Sequence, residues 1–232
     1  MDLHEMKTLT TRVVTHLAAM GDARVWRPVL GPDGTLLARG SGPSPEALAD
    51  YASGVDFEGK TVVDLGCNLG LYSFMAARRG AVHVLGLDSD QDAVEGANML
   101  ARLHGLDNVS FEVRDFLRTT SPEQADMVLV IDFIGRGVIA KGRLDAVLDS
   151  ARRYARKEIV VTLRPEYPLQ ELPTLSADLL KHYESHILDG TFMLASYVQE
   201  RLGLKWERRT LHQGRVKGFT LKAAILFTRS ER

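Results

Sequence analysis

Between residues 61 and 163, short apolar runs alternate with stretches of helical periodicity, and this grammar limits the chain more than any single residue does. TVVDL (61–65), HVLGLD (83–88), VSFEV (109–113), DMVLVID (126–132) and EIVVTL (158–163) read as strands. Helical stretches run from the first strand's following turn to about Arg79, over 90–104 and over 140–157. Only about a dozen residues separate the third and fourth strands, so any helix there is one or two turns long. Strands alternating with helices require crossover connections, which place strands in parallel and cover both faces of the sheet.

The last third departs from that alternation. Residues 176–202 carry a long helical pattern, interrupted at Gly190, which is expected to cross the sheet. Two strands then lie close together, KWERRTL (205–211) and FTLKAAILFTR (219–229). The intervening residues are too few for a covering helix and fit a hairpin. The expected fold is therefore α/β: a doubly wound, mostly parallel seven-stranded sheet ending in an antiparallel pair, with helices on both faces.

The first 56 residues form an extension of different character. Met6, Leu9, Val13, Leu17 and Met20 recur at helical spacing over 4–20, and Gly21 can close the helix. Gly31-Pro32-Asp33-Gly34 lies between two short apolar runs as a hairpin turn, and Ser44-Pro45-Glu46 can start a short helix. Residues 1–56 are expected to act as a lid over the substrate of a domain spanning 57–232.

The sharpest local signal is Val63-Asp64-Leu65-Gly66-Cys67-Asn68-Leu69-Gly70, a glycine turn between the first strand and its helix. Such a turn lets a ligand approach backbone and helix terminus closely. Asp64 sits where a dinucleotide would bring its pyrophosphate; a carboxylate there is unwelcome beside phosphate and suits a ligand carrying an ammonium group. Asp88 ends the second strand, 22 residues after Gly66, where it can accept both hydroxyls of a ribose. Asp115 and Phe116 follow the third strand and offer an acceptor and an apolar wall for adenine.

These residues resemble the first loop and strand ends of the class I, Rossmann-like S-adenosylmethionine-dependent methyltransferases, over roughly 57–164 and again in the final hairpin. Asp64, Gly66 and Gly70 match the family's pattern, and Asn68 stands at its middle glycine, where Asn tolerates positive φ better than most residues. The resemblance implies S-adenosylmethionine as cofactor. Asp64 and the loop, including Cys67, would contact its amino-acid part, Asp88 its ribose, and Asp115 with Phe116 its adenine. Asp132 falls at the end of the fourth strand, where sulfonium and acceptor usually meet. The following Phe133-Ile134-Gly135-Arg136 lacks the Asn/Asp-Pro-Pro-aromatic motif of family members that methylate adenine or glutamine nitrogens.

On the acceptor side, Asp132 either orients the acceptor or caps the next turn. Arg136 and Arg164, just past the fourth and fifth strands, either face one crevice and suit a carboxylate or phosphate, or are surface arginines. Asp178, His182 and His186 stand at four-residue steps, a spacing that does not converge three ligands on one metal ion from a straight helix. His182 or His186 serves better as a general base, with Tyr183 lining the same pocket or packing in the core.

Composition sets the limits. Lys and Arg number 29 against 30 Asp and Glu, which argues against a chain whose main work is coating nucleic acid. Locally, Lys205, Arg208, Arg209, Arg215, Lys217 and Lys222 oppose only Glu207, so an RNA acceptor is an alternative to a small molecule, and a non-catalytic cofactor-binding module is another. One cysteine excludes an intrachain disulfide. The absence of an 18-residue apolar run and of a leader-like start makes a cytoplasmic protein the expectation.

Overall fold

The computed structural model describes residues 2–42, 52–119, 122–216 and 220–230. Seven strands form one mixed sheet: β3 (Thr61–Leu65), β4 (His83–Asp88), β5 (Val109–Val113), β6 (Ala125–Val130), β7 (Ala155–Leu163), β11 (Trp206–Val216) and β12 (Thr220–Arg229). Their order is β11-β12-β7-β6-β3-β4-β5, with β12 antiparallel to both β11 and β7. The expected seven-stranded, mostly parallel α/β sheet with a terminal antiparallel pair is the fold observed. The chain divides into two compact units, Met1–Ala49 with Asp56–Phe116, and Asp50–Val55 with Leu117–Arg232.

In the first unit, α1 (Leu3–Met20) starts with a reciprocal cap: Asp2 Oδ1 accepts the Glu5 N–H at 2.8 Å, and Glu5 Oε2 accepts the Asp2 N–H at 2.9 Å. Leu9, Val13, Leu17 and Met20 form its buried stripe, and Gly21 ends it at φ 75°. The hairpin β1 (Val29–Leu30) and β2 (Leu36–Ala38) turns through Gly31–Gly34, with the Gly31 N–H donating to Thr35 O at 2.8 Å. The helix start expected at Ser44 lies outside the described residues. Helices α2 (Leu71–Arg78) and α3 (Gln91–Leu103) follow β3 and β4. Gly96 inside α3 is a packing glycine: a Cβ there would come within 2.7 Å of Leu69 and 3.3 Å of His16.

In the second unit, β6 and β7 form the driest part of the sheet. Met127, Val128, Leu129, Val130, Ile159, Val160 and Val161 are each at most 1 % exposed, so residues of both parities are covered, as parallel strands between helices require. The helix expected over 140–157 is two helices, α4 (Arg136–Ala140) and α5 (Leu144–Tyr154), separated at Gly142 with φ 64°. Residues 155–157 belong to β7 instead, where Arg156 and Lys157 pair with Asp126 of β6 at 3.6 and 3.3 Å.

The long helix expected over 176–202 is not continuous. It comprises α6 (Ala177–His182), a 3-10 turn at Glu184–His186, the strands β9 (Ile187–Leu188) and β10 (Thr191–Phe192), and α7 (Leu194–Leu202). Asp189 and Gly190 carry φ of 46° and 71°, the two left-handed residues of a tight hairpin turn. That hairpin adds to β8 (Tyr167–Pro168) as a small three-stranded sheet. The last hairpin is longer than the apolar runs predict, because polar residues through Gly214 and Arg215 still pair with Lys222 and Leu221.

Candidate active site

The glycine turn follows β3 in the first unit. Gly66, Asn68 and Gly70 have φ of 76°, 47° and 81°, so all three occupy the left-handed region that the sequence anticipated for them. The Gly66 and Cys67 N–H groups both donate to Leu87 O, at 2.8 and 3.1 Å, which seats the loop on β4. Two glycines answer to one aromatic ring. A Cβ at Gly70 would meet Phe111 Cζ at 2.5 Å, and one at Gly86 would meet Phe111 Cδ1 at 2.4 Å. Phe111 of β5 therefore presses the loop into place, a partner that the loop sequence does not reveal.

Asp64 is 3 % exposed, and its Oδ2 accepts the Ser73 hydroxyl at 2.7 Å. Burial raises its pKa to about 6, and the charge of Asp88 adds to that shift. Cys67 is buried beside it; burial first, then Asp64 and Asp88, push the thiol well above its ordinary range. This suppresses thiolate formation and leaves Cys67 a small packing group.

Asp88 ends β4 with both carboxylate oxygens in use. Oδ2 accepts the Asn68 N–H at 2.9 Å, and Oδ1 accepts the Asp90 N–H at 3.0 Å. Each oxygen retains lone-pair capacity for a further donor. Asp115 is exposed and Phe116 is 5 % exposed. The described turn from Gly66 to Gly70 carries carboxylates at its flanks and contains no lysine or arginine. That donor set fits a ribose and a cationic amino acid and opposes a pyrophosphate.

In the second unit, Asp132 lies two residues beyond β6 with φ 57°, a left-handed conformation in a residue other than glycine. Its N–H donates to the buried Thr162 hydroxyl at 2.7 Å, and its carboxylate is ion-paired with Lys222 of β12. Lys222 thus turns towards Asp132. Its side chain is 22 % exposed, so it adds little to the basic outer surface expected of the last hairpin.

Arg164 forks onto Glu171, with Nη2 to Oε1 at 3.0 Å, and its guanidinium lies 4.9 Å from the Tyr167 ring centroid. The Arg164 guanidinium holds Glu171 below the usual carboxylate range, with Arg136 contributing a smaller charge effect. Arg136 is exposed at the start of α4, and its charge also reaches Tyr167. Arg164 therefore sits at the Tyr167–Glu171 corner, and the charge of Arg136 reaches both of its residues.

The histidines go elsewhere. His182 Nε2 lies 2.9 Å from Asp145 Oδ2 and 2.9 Å from the Tyr197 hydroxyl, which itself donates to Asp145. His186 sits on the 3-10 turn, 7 % exposed, with Nε2 3.2 Å from Glu200. Because α6 ends at His182, the four-residue alignment of Asp178, His182 and His186 does not persist. Tyr183 is 1 % exposed and stacks on Phe192 at 4.7 Å; burial raises its hydroxyl to about 12. Thr162, Asp145 and Tyr197 carried no signal in the sequence, and Lys222 stood out there only as one of the hairpin's basic residues, because each joins its partner only through long-range packing.

A mostly parallel α/β sheet with a left-handed glycine turn and carboxylates at its strand ends has the geometry of nucleoside-binding folds. Residues 56–211 match the methyltransferase-domain family, and the chain belongs to it. A ribosomal protein L11 methyltransferase from Aeromonas salmonicida (strain A449) is 29 % identical over 114 residues, 46 % of this chain and 38 % of that protein. Its counterpart from Alteromonas mediterranea is 32 % identical over 113 residues, 45 % of this chain and 38 % of that protein. The matched region is thus about two fifths of those relatives' length.

Among solved structures, magnesium protoporphyrin IX methyltransferase from Synechocystis PCC 6803 with bound S-adenosylhomocysteine shares the fold at TM-score 0.56 and 19 % identity, covering 80 % of each chain. The N-terminal domain of EvdMO1, crystallised in the presence of S-adenosylhomocysteine and D-fucose, superposes at TM-score 0.61 and 17 % identity, over 99 % of this chain and 97 % of that one. No helix among the described residues is long and apolar enough to cross a membrane.

Proposed function

We propose that this methyltransferase acts on a small acceptor bearing a carboxylate or phosphate. The observation that carries this reading is Arg164 at the Tyr167–Glu171 corner beyond β6 and β7, with the charge of Arg136 reaching both residues of that corner. Arg164 is neutralised by Glu171, whereas exposed Arg136 offers a planar fork to an anion. The name of the Synechocystis enzyme, a magnesium protoporphyrin IX methyltransferase, supports a small-molecule acceptor.

In this reading the cofactor is held from the first unit. Asp88 accepts from the ribose hydroxyls, Asp115 and Phe116 receive the adenine, and Asp64 with residues 66–70 faces the amino-acid part. S-adenosylmethionine supplies, when bound, a methyl group on a positively charged sulfur, so the protein's main task is positioning and desolvation. Arg136 anchors the acceptor's anionic group. Asp132 orients the attacking atom and takes its proton when that atom carries one. His182 and His186, each already bonded to a carboxylate, hold α6 and the 3-10 turn against α5 and α7.

A protein acceptor is the second reading, favoured by the ribosomal protein L11 methyltransferases among the sequence relatives. An RNA acceptor rests on the exposed Arg208, Arg209 and Arg215 of β11. Methyl-labelled cofactor, offered with a small-metabolite extract, with ribosomal protein and with RNA in parallel, separates the three. Label recovered in an anion-exchange-retained metabolite, and lost in Arg136→Gln, is the expected result; label only in protein or RNA would overturn it.

A further inference from the structure

The segment that precedes the matched family region is bonded to the two loops that flank Asp88. Arg24 lies just after α1, where its N–H donates to Gly21 O at 3.1 Å. The next residue, Val25, is 2 % exposed, and its carbonyl accepts the Ser41 N–H at 2.9 Å, so the segment is fixed on both sides of Arg24.

From that position Arg24 reaches the glycine loop and the β4–α3 turn together. Its carbonyl accepts the Asn68 side-chain amide at 3.1 Å. Its guanidinium donates to Asp90 through Nε at 3.0 Å and through Nη2, while Nη1 lies 2.8 Å from Asp92. Asn68 and Asp90 are the two residues whose backbone N–H groups hold the Asp88 carboxylate. Asp90 also caps α3, accepting from the Asp92 and Ala93 N–H groups at 3.0 and 3.3 Å. A second tie, His16 to Asp92 O at 2.7 Å, joins α1 to the same turn.

We propose that Arg24 is a positioning residue for cofactor binding, setting the orientation of the Asp88 carboxylate through Asn68 and Asp90. The proposal rests on the reading of Asp88 as the ribose acceptor. Both oxygens of Asp88 are held by loop amides, so its orientation follows the separation of the two loops. Arg24 fixes that separation by bonding one loop through its backbone and the other through its side chain. Lysine cannot reproduce this, because a single ammonium lacks the three-nitrogen fork that spans Asp90 and Asp92. The extension is thereby part of the cofactor site and more than a cover for it. By linkage, bound cofactor holds the extension in place to the same degree.

The experiment is calorimetric titration of the full chain with S-adenosylhomocysteine. Arg24→Met is expected to weaken binding about tenfold and Arg24→Lys by an intermediate factor, while Arg12→Met, on the exposed face of α1, leaves it unchanged. In an Asp88→Ala background the Arg24→Met penalty should shrink below about threefold, since a residue acting through Asp88 has nothing left to position. Should Arg24→Met fail to fold, Asp92→Asn removes one arm of the fork with the Asp90 cap intact and is expected to weaken binding about threefold. Affinity within about twofold of the parent in Arg24→Met, or a full penalty that persists in Asp88→Ala, would overturn the proposal. Parent-like affinity in Asp88→Ala alone would instead remove the ribose assignment beneath it.

Discussion

The Asp88 carboxylate accepts the backbone N–H of Asn68 at 2.9 Å, across 20 residues of sequence. This bond ties the end of β4 to the middle of the glycine turn, so the residue assigned to the ribose also shapes the loop beside it. Removing the carboxylate should therefore affect both. Asp88→Ala is expected to weaken S-adenosylhomocysteine binding at least about tenfold, read by calorimetry, and to speed amide exchange at Asn68.

Asp64 makes the fold sensitive to pH in the direction opposite to most carboxylates. Its ordinary value is 3.8 and its folded value about 6, so between those values the folded protein retains a proton that the unfolded chain has released. The resulting stabilisation is complete below the unfolded value and is lost as pH rises through about 6. The shift corresponds to at most about 3 kcal/mol. Urea unfolding at pH 5 and pH 7.5 should show a smaller decline in Asp64→Asn, whose amide oxygen can still accept from Ser73, than in the parent.

Gly86 is a packing requirement set by one ring. Gly86→Ala places a methyl 2.4 Å from Phe111 Cδ1 and 2.9 Å from Cys67 Sγ. Overpacking of this kind costs about 1–3 kcal/mol, which thermal melting will register. Phe111→Leu in the same chain should recover part of the loss, because it withdraws the ring that the methyl strikes.

Thr162 and Lys222 both hold Asp132, a left-handed residue with its side chain 17 % exposed. Thr162→Val leaves the Asp132 N–H without its hydroxyl acceptor and should destabilise the fold by about 1–3 kcal/mol in urea titrations. Under the proposed role for Asp132, the same substitution lowers methyl transfer more than cofactor affinity. Equal losses in both would argue against that role.

The strand pattern of the central sheet was legible because buried parallel strands must be continuous apolar runs, and β3, β4 and β5 fall on the residues their periodicity predicts. Asn68 was legible too, since a turn needing positive φ admits few residues besides glycine. The stretch 176–202 misled for a definable reason. Apolar spacing there is compatible with a helix, but Asp189-Gly190 is a hairpin turn signal, and pairing with β8 outweighs helical propensity once Tyr167 is near in space. The polar edge strand β11 was underestimated because backbone pairing to β12 needs no apolar side chain.

The sequence alone determined the α/β alternation, the glycine turn and the carboxylates at or just past the strand ends, because each depends on periodicity or on the φ of one residue. Tertiary structure decided which groups those carboxylates meet. Asp64 finds Ser73, Asp88 finds Asn68 and Asp90, and Asp132 finds Lys222 across 90 residues. It also tied the N-terminal segment to Asn68 and Asp90 through Arg24, and gave His182 and His186 carboxylate partners. Short-range spacing records backbone geometry. Hydrogen bonds and ion pairs between distant residues exist only after hydrophobic burial has brought their elements together, so no local pattern could encode them.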